Sequence, residues 1–316
     1  MTQANRKLNQ HYVWQAYLKA WTVGGHLWCL RDGKIYPSST RNVGSERLFY
    51  ALPDLTQGDL NFIQKVAIDN SPNPLKGGHQ EHLEMYTRPW NLKRSVEENP
   101  DLDSKLRSFV LVKLEEEIAN AEENYHNDIE NAFLPLLESL RAGDASFYQT
   151  DDDVIHFLHA ISTQYFRTKN VKENVVAAVK IPNDMIRRIW SPLSHIFAVN
   201  MGSSFFRERR LHKIVLRDNV SGTHFIAGDQ PIINLHATPF DNTPPTDLEF
   251  YYPLTPTKAM IFLKESNPMQ SGILSSPDEV RRYNILIAQS SHEQIFADSR
   301  EGLEAMQEYV EEPVLQ

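Results

Sequence analysis

Arg188 and His195 are separated by six residues in the run Arg188-Ile-Trp-Ser-Pro-Leu-Ser-His195. Small helical ribonucleases use an arginine and a histidine at about this separation: the cation neutralises phosphate and the imidazole moves protons. Pro192 lies between the two and is expected to disrupt the helix that would align them. A second cationic feature is Arg207-Glu208-Arg209-Arg210-Leu211-His212-Lys213, with Arg217 soon after. It reads as a phosphate-binding patch through Arg207, Arg209 and Arg210, reinforced by Arg187 and Arg188 if the helix folds back. The plainer reading is a solvated helix end whose cations suit the macrodipole. His79 with His82, and His156 with His159, are histidine pairs three apart, which a helix would place on one side. Neither has the nearby third ligand of a zinc-peptidase motif.

Composition narrows these readings. The chain has 316 residues, 41% hydrophobic and 23% charged, with a formal net charge of −9. That is an ordinary globular balance with enough apolar surface for a core, and its acidity disfavours a sequence-indifferent nucleic-acid coat. The single cysteine, Cys29, sits in an apolar run and reads as a buried, inert thiol. No apolar run approaches a membrane span, and Met1 to Gln15 lacks a signal-peptide core, so the cytoplasm is the expected location and no membrane partner is expected. There is no glycine-rich phosphate loop, no dinucleotide fingerprint, no G-x-S-x-G elbow and no C-x-x-C pair, and no cofactor can be named.

The elements that must position these groups follow from periodicity. His11 to Trp21 reads as a short helix ended by Gly24-Gly25, and residues 26–36 as a hairpin turning at Asp32-Gly33. A third extended piece covers Arg47 to Leu52, and Ser71 to Gly78 reads as loop. From Lys105 to Leu140, Leu106, Phe109, Val110, Leu114, Ile118, Ala121, Tyr125, Ile129, Phe133, Leu136 and Leu140 form one helical stripe. Glu115, Glu116, Glu117, Glu122 and Glu123 are assigned to its outer faces, and Pro135 is expected to kink or break it. Further helices run from Val154 to Arg167, headed by Asp151-Asp152-Asp153, and over Val171 to Arg210, interrupted near Pro182 and Pro192. Strands are expected at 213–216, 224–227, 232–236, 248–253, 259–263 and 294–297, with a proline-rich loop at 238–246 and a helix from Pro277 capped by Ser276. The fold class is α+β in a single domain, 1–316: an N-terminal hairpin region 1–70, a helical region 100–210, and a mainly antiparallel sheet region 211–316.

Several segments, in order along nearly the whole chain, resemble the domain-of-unknown-function family 4238. Asn9-Gln-His-Tyr-Val-Trp-Gln-Ala-Tyr-Leu18 is similar to its HYVPQFYL start, with Trp14 in place of proline. Asn42-Val-Gly-Ser-Glu46 with Phe49-Tyr50, Ile129-Glu130-Asn131, Gln164-Tyr-Phe-Arg-Thr168, His224 to Pro231, and Tyr252-Pro-Leu-Thr-Pro256 resemble later family segments. Lys169 departs by replacing a proline, and Asn284 sits in the matching late helix. The resemblance singles out His11, Glu130, Arg167 and Asp229 as candidate catalytic groups, with Gln164, Glu46 and Asn284 in support. It implies no reaction.

Two functions compete. One is a phosphodiester hydrolase, an RNA-directed nuclease or toxin effector working through these acid–base and cationic residues. The other is a non-catalytic module that binds a small anion, a nucleotide or a partner protein. Convergence of the seven residues on one pocket would favour a site; an alternative is that Glu130 and Arg167 form a buried structural pair, that Asp229 makes a turn, and that His11 is a packed or capping side chain.

Overall fold

Burial of the long apolar stripe organises the molecule. In the computed structural model, which describes residues 4–237 and 245–310, that stripe lies on one unbroken helix, and α+β is the observed class. The helices in chain order are α1 (Gln15–Leu18), α2 (Gln57–Ile63), α3 (Asn73–Glu98), α4 (Ser104–Ala142), α5 (Asp151–Phe166), α6 (Lys169–Ala178), α7 (Asn183–Arg207), α8 (Pro277–Ser290), α9 (Arg300–Glu304) and α10 (Gln307–Val310). The strands are β1 (Asn9–His11), β2 (Leu27–Arg31), β3 (Lys34–Ser38), β4 (Ser45–Arg47), β5 (His212–Asn219), β6 (Ala227–Gly228), β7 (Ile233–Asn234), β8 (Phe250–Thr255), β9 (Lys258–Lys264), β10 (Gly272–Leu274) and β11 (Gln294–Ala297).

The second half of α4 buries Phe133, Leu136, Leu137 and Leu140 against Val154, Phe157, Leu158 and Ile161 of α5, as the stripe predicts. Its first turns behave differently: Leu106 and Phe109 are exposed. Pro135 does not break α4. It lies on the exposed side of the helix, as does Asn131, the residue whose carbonyl loses its intrahelical partner to the proline. Pro192 does not break α7 either, because Ile189, Leu193 and Ile196 around it are buried in one cluster and packing holds the helix together.

Other expectations need correction. Residues 73–78 are the start of α3 rather than loop: Pro74 falls at the first turn, where a missing N–H costs nothing, and His79, Leu83 and Tyr86 bury one face. His11 lies in β1, paired with β4 through His11 and Ser45, and the helix begins only at Gln15. The strands after Lys213 do not make one sheet. A five-stranded sheet has the order β10-β5-β9-β8-β7, antiparallel except for the parallel β10–β5 edge. β6 and β11 instead join the N-terminal hairpin in a four-stranded antiparallel sheet, β3-β2-β11-β6. β11 is buried throughout, so it is a central strand and takes the hairpin as a neighbour. Residues 238–244 of the proline-rich segment lie outside the described residues. No helix among the described residues is long and apolar enough to cross a membrane.

The segment after β4 crosses the helical half. Tyr50 N–H donates to Gln10 Oε1 at 2.6 Å, Gln10 Nε2 donates to Ala119 O at 2.6 Å, and Leu52 N–H donates to Ile118 O at 2.8 Å. These bonds lay Phe49 to Pro53 across the middle of α4, facing α6 and α7.

Candidate functional site

Arg167 is the hub of the site. It caps the C-terminus of α5, is buried, and donates from Nη2 to Glu130 Oε1 and to Gln164 Oε1, both at 2.5 Å. Glu130 comes from α4, so three residues singled out by resemblance do meet. Burial raises the Glu130 carboxyl above its usual range against the pull of Arg167. The Arg167 Nε–H has no hydrogen-bond partner.

Three small cavities touch this guanidinium. One, of about 20 Å³, lies toward the sheets among Trp14, Glu130, Gln164 and Tyr252. The second, of about 10 Å³, is an inner chamber among Tyr86, Glu122, Tyr125, His126, Thr163, Ser191 and His195. The third is an outer pocket of about 100 Å³ bounded by Phe49, Tyr50 and Pro53 on one side and Lys172, Arg187, Arg188 and Trp190 on the other. Glu122, Arg167, Ser191 and Ser194 line both the inner chamber and the outer pocket, so these four side chains form the wall between them.

The outer pocket is cationic. Arg188 is held by two bonds of 2.8 Å to buried Asp59, and Arg187 by an ion pair with Glu173. Lys172 makes no hydrogen bond to a carboxylate among the described residues, and burial lowers its ammonium from the ordinary value. The floor is Glu122. This carboxyl is fully buried, and burial raises it to about 8, so it is mostly neutral at pH 7. Ser191 Oγ hydrogen-bonds Oε1, Tyr86 Oη lies 3.0 Å from Ser191 Oγ, and Oε2 has no partner. Tyr50 Oη, His126 Nδ1, Thr163 Oγ1 and Trp190 Nε1 are likewise buried and unpaired. Buried polar atoms are ordinarily paired, and their concentration around these cavities is a mark of a site.

Behind the inner chamber four helices bring imidazoles together. His195 Nδ1 lies 2.8 Å from Tyr125 Oη, which lies 3.2 Å from His159 Nε2. His82 stacks on His195 with ring centroids 3.3 Å apart, and His79 bonds Asn200 at 3.0 Å. Burial lowers His82 to about 3 and moves His126, His159 and His195 the same way, so these rings are neutral at pH 7. Among the described residues no three histidine, cysteine, aspartate or glutamate side chains are arranged to hold a metal ion.

The remaining residues from the resemblance do not join this wall. His11 bonds Gln15 and the Arg41 carbonyl, at 3.2 and 3.1 Å, and burial lowers its imidazole. Asp229 is buried, but its oxygens accept the N–H groups of His292, Glu293 and Gln294 at 2.7, 2.8 and 3.1 Å; it makes the turn into β11 and lines none of these cavities. Asn284 ties the 224–226 backbone, accepting from Ile226 N–H and donating to His224 O. Exposed Glu46 pairs with Lys169 at 2.6 Å. Arg207 and Arg210 are exposed and Arg209 pairs with Asp151 at 2.9 Å. They are separated from Arg188 by some 19 residues of continuous helix, about 28 Å, so Arg187 and Arg188 do not reinforce them.

The profile of the family described as "Protein of unknown function (DUF4238)" matches residues 9–301, nearly the whole chain. The chain belongs to the DUF4238 family. Comparison with curated proteins and with solved structures returns no match. The DUF4238 match therefore assigns no chemistry, and the geometry must carry it. In this DUF4238 chain the residues missed by sequence reasoning are Glu122, His126, Lys172 and Ser191. The first two are four apart on α4, and Glu130 follows at the same spacing: a polar track beside the apolar stripe. That ladder was the available signal. It was hidden because Glu122 belongs to a glutamate-rich stretch that suggests solvent.

Proposed function

We propose that the chain binds the phosphoryl group of a small phosphorylated molecule in the outer pocket and hydrolyses its ester by acid–base chemistry. The observation that carries this reading is a single wall: a cationic pocket whose floor is a fully buried, neutral carboxyl, backed by a chamber lined by a neutral histidine. The outer volume of about 100 Å³ suits one phosphoryl group, and the inner one of about 10 Å³ suits one water molecule. In this scheme Lys172, Arg167, Arg187 and Arg188 bind the phosphoryl oxygens and offset charge developing on them. A water oxygen bonds to phosphorus while its proton passes to the His195 ring. The ester P–O bond breaks, and the Glu122 carboxyl proton goes to the departing oxygen. Tyr125, between His195 and His159, orients the ring.

The pocket favours a terminal phosphate over the middle of a nucleic-acid strand, since an internal phosphodiester would have to bring two sugars into the same space. RNA enters this proposal through a phosphorylated end, or as a nucleotide. Arg188 and His195, one on each side of the wall and seven positions apart on one helix, take the phosphate-neutralising and proton-moving roles that their spacing suggested.

Calorimetry with inorganic phosphate and nucleoside monophosphates, together with a phosphate-release assay, tests this. Saturable phosphate binding that Lys172→Gln weakens about tenfold, equivalent to about 1.4 kcal/mol, is expected. Release of phosphate from a monoester that Glu122→Gln abolishes is also expected. No binding of phosphate by the folded protein would overturn the reading. Binding without release from any ester would leave the non-catalytic anion-binding module, for which the unpaired Lys172 is the favouring observation.

A further inference from the structure

The floor of the pocket carries information about which anion it takes, an inference that rests on the phosphoryl-binding reading above. Glu122 Oε1 is engaged by Ser191 and has His126 Nε2 at 3.5 Å, whereas Oε2 is buried without a hydrogen-bond partner. Glu122 lines the cationic pocket. An anion oxygen brought against the Glu122 carboxyl must share one proton with it, because two bare oxygens repel. The proton can come from either side. Inorganic phosphate keeps a last proton well into the alkaline range, whereas a phosphate monoester loses its last one near pH ~6, below the range in which Glu122 ionises. Sulfate has lost its last proton far below neutrality.

We propose that Glu122 makes this pocket discriminate between oxyanions that bring a proton of their own, phosphate above all, and those that cannot, sulfate and its esters. While Glu122 is protonated it donates to either anion and the pocket holds both. Once it ionises, hydrogen phosphate still donates to the carboxylate, but sulfate meets it charge against charge.

The groups facing Glu122 define the useful pH range. From α4 these are Glu123, which burial raises to about 7, with Tyr125 and His126; from α3, Tyr86; from the crossing segment, Tyr50, whose hydroxyl burial raises; from α7, His195, Arg187 and Arg188; and from α5 and α6, Arg167 and Lys172. The imidazoles stay neutral and the tyrosines stay protonated, since burial lowers the first and raises the second. Ionisation of Glu123 and loss of the Lys172 proton act on both anions alike. Inorganic phosphate itself passes from monoanion to dianion over this range, but equally in wild type and Glu122→Gln, so the difference in affinity ratio between the two proteins isolates Glu122, whose carboxyl titrates at about 8.

The test is calorimetry of the full chain with sodium phosphate and sodium sulfate at pH 6.5 and pH 9, in wild type and Glu122→Gln. The expected result at pH 9 is a wild-type preference for phosphate of at least about tenfold, reduced to below about threefold in Glu122→Gln. At pH 6.5 both proteins should bind the two anions within about threefold of each other. If Glu122→Gln does not fold, the wild type decides between pH 7.5 and 9.5, where phosphate is already mainly the dianion: sulfate should weaken at least about tenfold more than phosphate does. Equal sulfate and phosphate affinity in wild type at pH 9, or a preference that persists in folded Glu122→Gln, overturns this inference and leaves the anion site standing. Binding of neither anion at either pH overturns the phosphoryl-binding reading itself.

Discussion

Two residues in the bundle interior carry opposite burdens. Arg167 is a buried cation held by Glu130, and removing the carboxylate strands it. Glu130→Gln should destabilise the fold by about 3 kcal/mol in urea denaturation, because an unpaired buried charge costs more than the pair contributes. Arg167→Met with Glu130→Leu, which removes both charges, should recover much of that loss, and failure to do so would argue against a structural share for the pair. Glu122 is a buried acid kept protonated. Its carboxyl titrates at about 8 folded and near the ordinary carboxylate value unfolded. Between those pH values the folded state holds more protons, so this group's contribution is complete at low pH and is lost as pH rises through 8. Melting temperature should therefore fall more steeply from pH 5 to pH 8.5 in wild type than in Glu122→Gln; parallel curves would refute the buried, neutral acid. Resemblance to a family found Arg167, Glu130 and Gln164, since these keep recognisable neighbours. It did not find Glu122, whose role depends on being one position past Ala121, on the flank where α3 and α7 close over it. Periodicity gives the stripe, but not how many helices cover its edges.

Elements with local causes were legible and those set by partners were not. Asp32 and Gly33 have φ of 50° and 68°, the two positive angles the Asp-Gly pair predicts, with Arg31 opposite Lys34. Gly33→Val should cost about 1–2 kcal/mol, read as a lowered melting temperature, since a β-branched residue resists that conformation. The Ser276 cap and Pro277 at the first turn likewise place α8 where expected. Sheet membership was not legible: nothing local to residues 294–297 says that their partners lie in the hairpin at residues 27–38. The same distance hides the task of Asp229. By accepting three N–H groups ahead of β11 it also holds Gln294, whose Nε2 donates to Tyr12 Oη at 3.0 Å. Asp229→Ala should therefore lower the melting temperature by several degrees while phosphate affinity stays within about threefold of wild type. A large loss of affinity in a protein of unchanged stability would return Asp229 to the site.

At the scale of the molecule, the outer pocket lies where separate parts of the chain meet. Phe49 to Pro53 comes from the N-terminal region, Glu122 from α4, Arg167 from the end of α5, Lys172 from α6, and Arg187 to Ser194 from α7. α6 is anchored at its start by Lys169, which pairs with Glu46 beside β1 and with Glu293 beside β11 at 2.6 and 2.9 Å. An anion bonded to Lys172 and Arg167 would thus tie α6 and α7 to the N-terminal crossing segment and to the sheets behind it. Binding of that kind stabilises only the folded chain. At a hundred times its dissociation constant, phosphate should add about 2.7 kcal/mol, which for a chain of 316 residues is a rise of about 4 °C in melting temperature. Hydrogen exchange should locate the effect: amides of 49–53 and of α6 should slow on adding phosphate, and those of the β2–β3 hairpin should not. Lys172→Gln should remove both the thermal shift and the local slowing at the same phosphate concentration. A uniform slowing over the whole chain, undiminished in Lys172→Gln, would mean that phosphate acts through excluded-salt effects, and the convergence of these segments would then be packing alone.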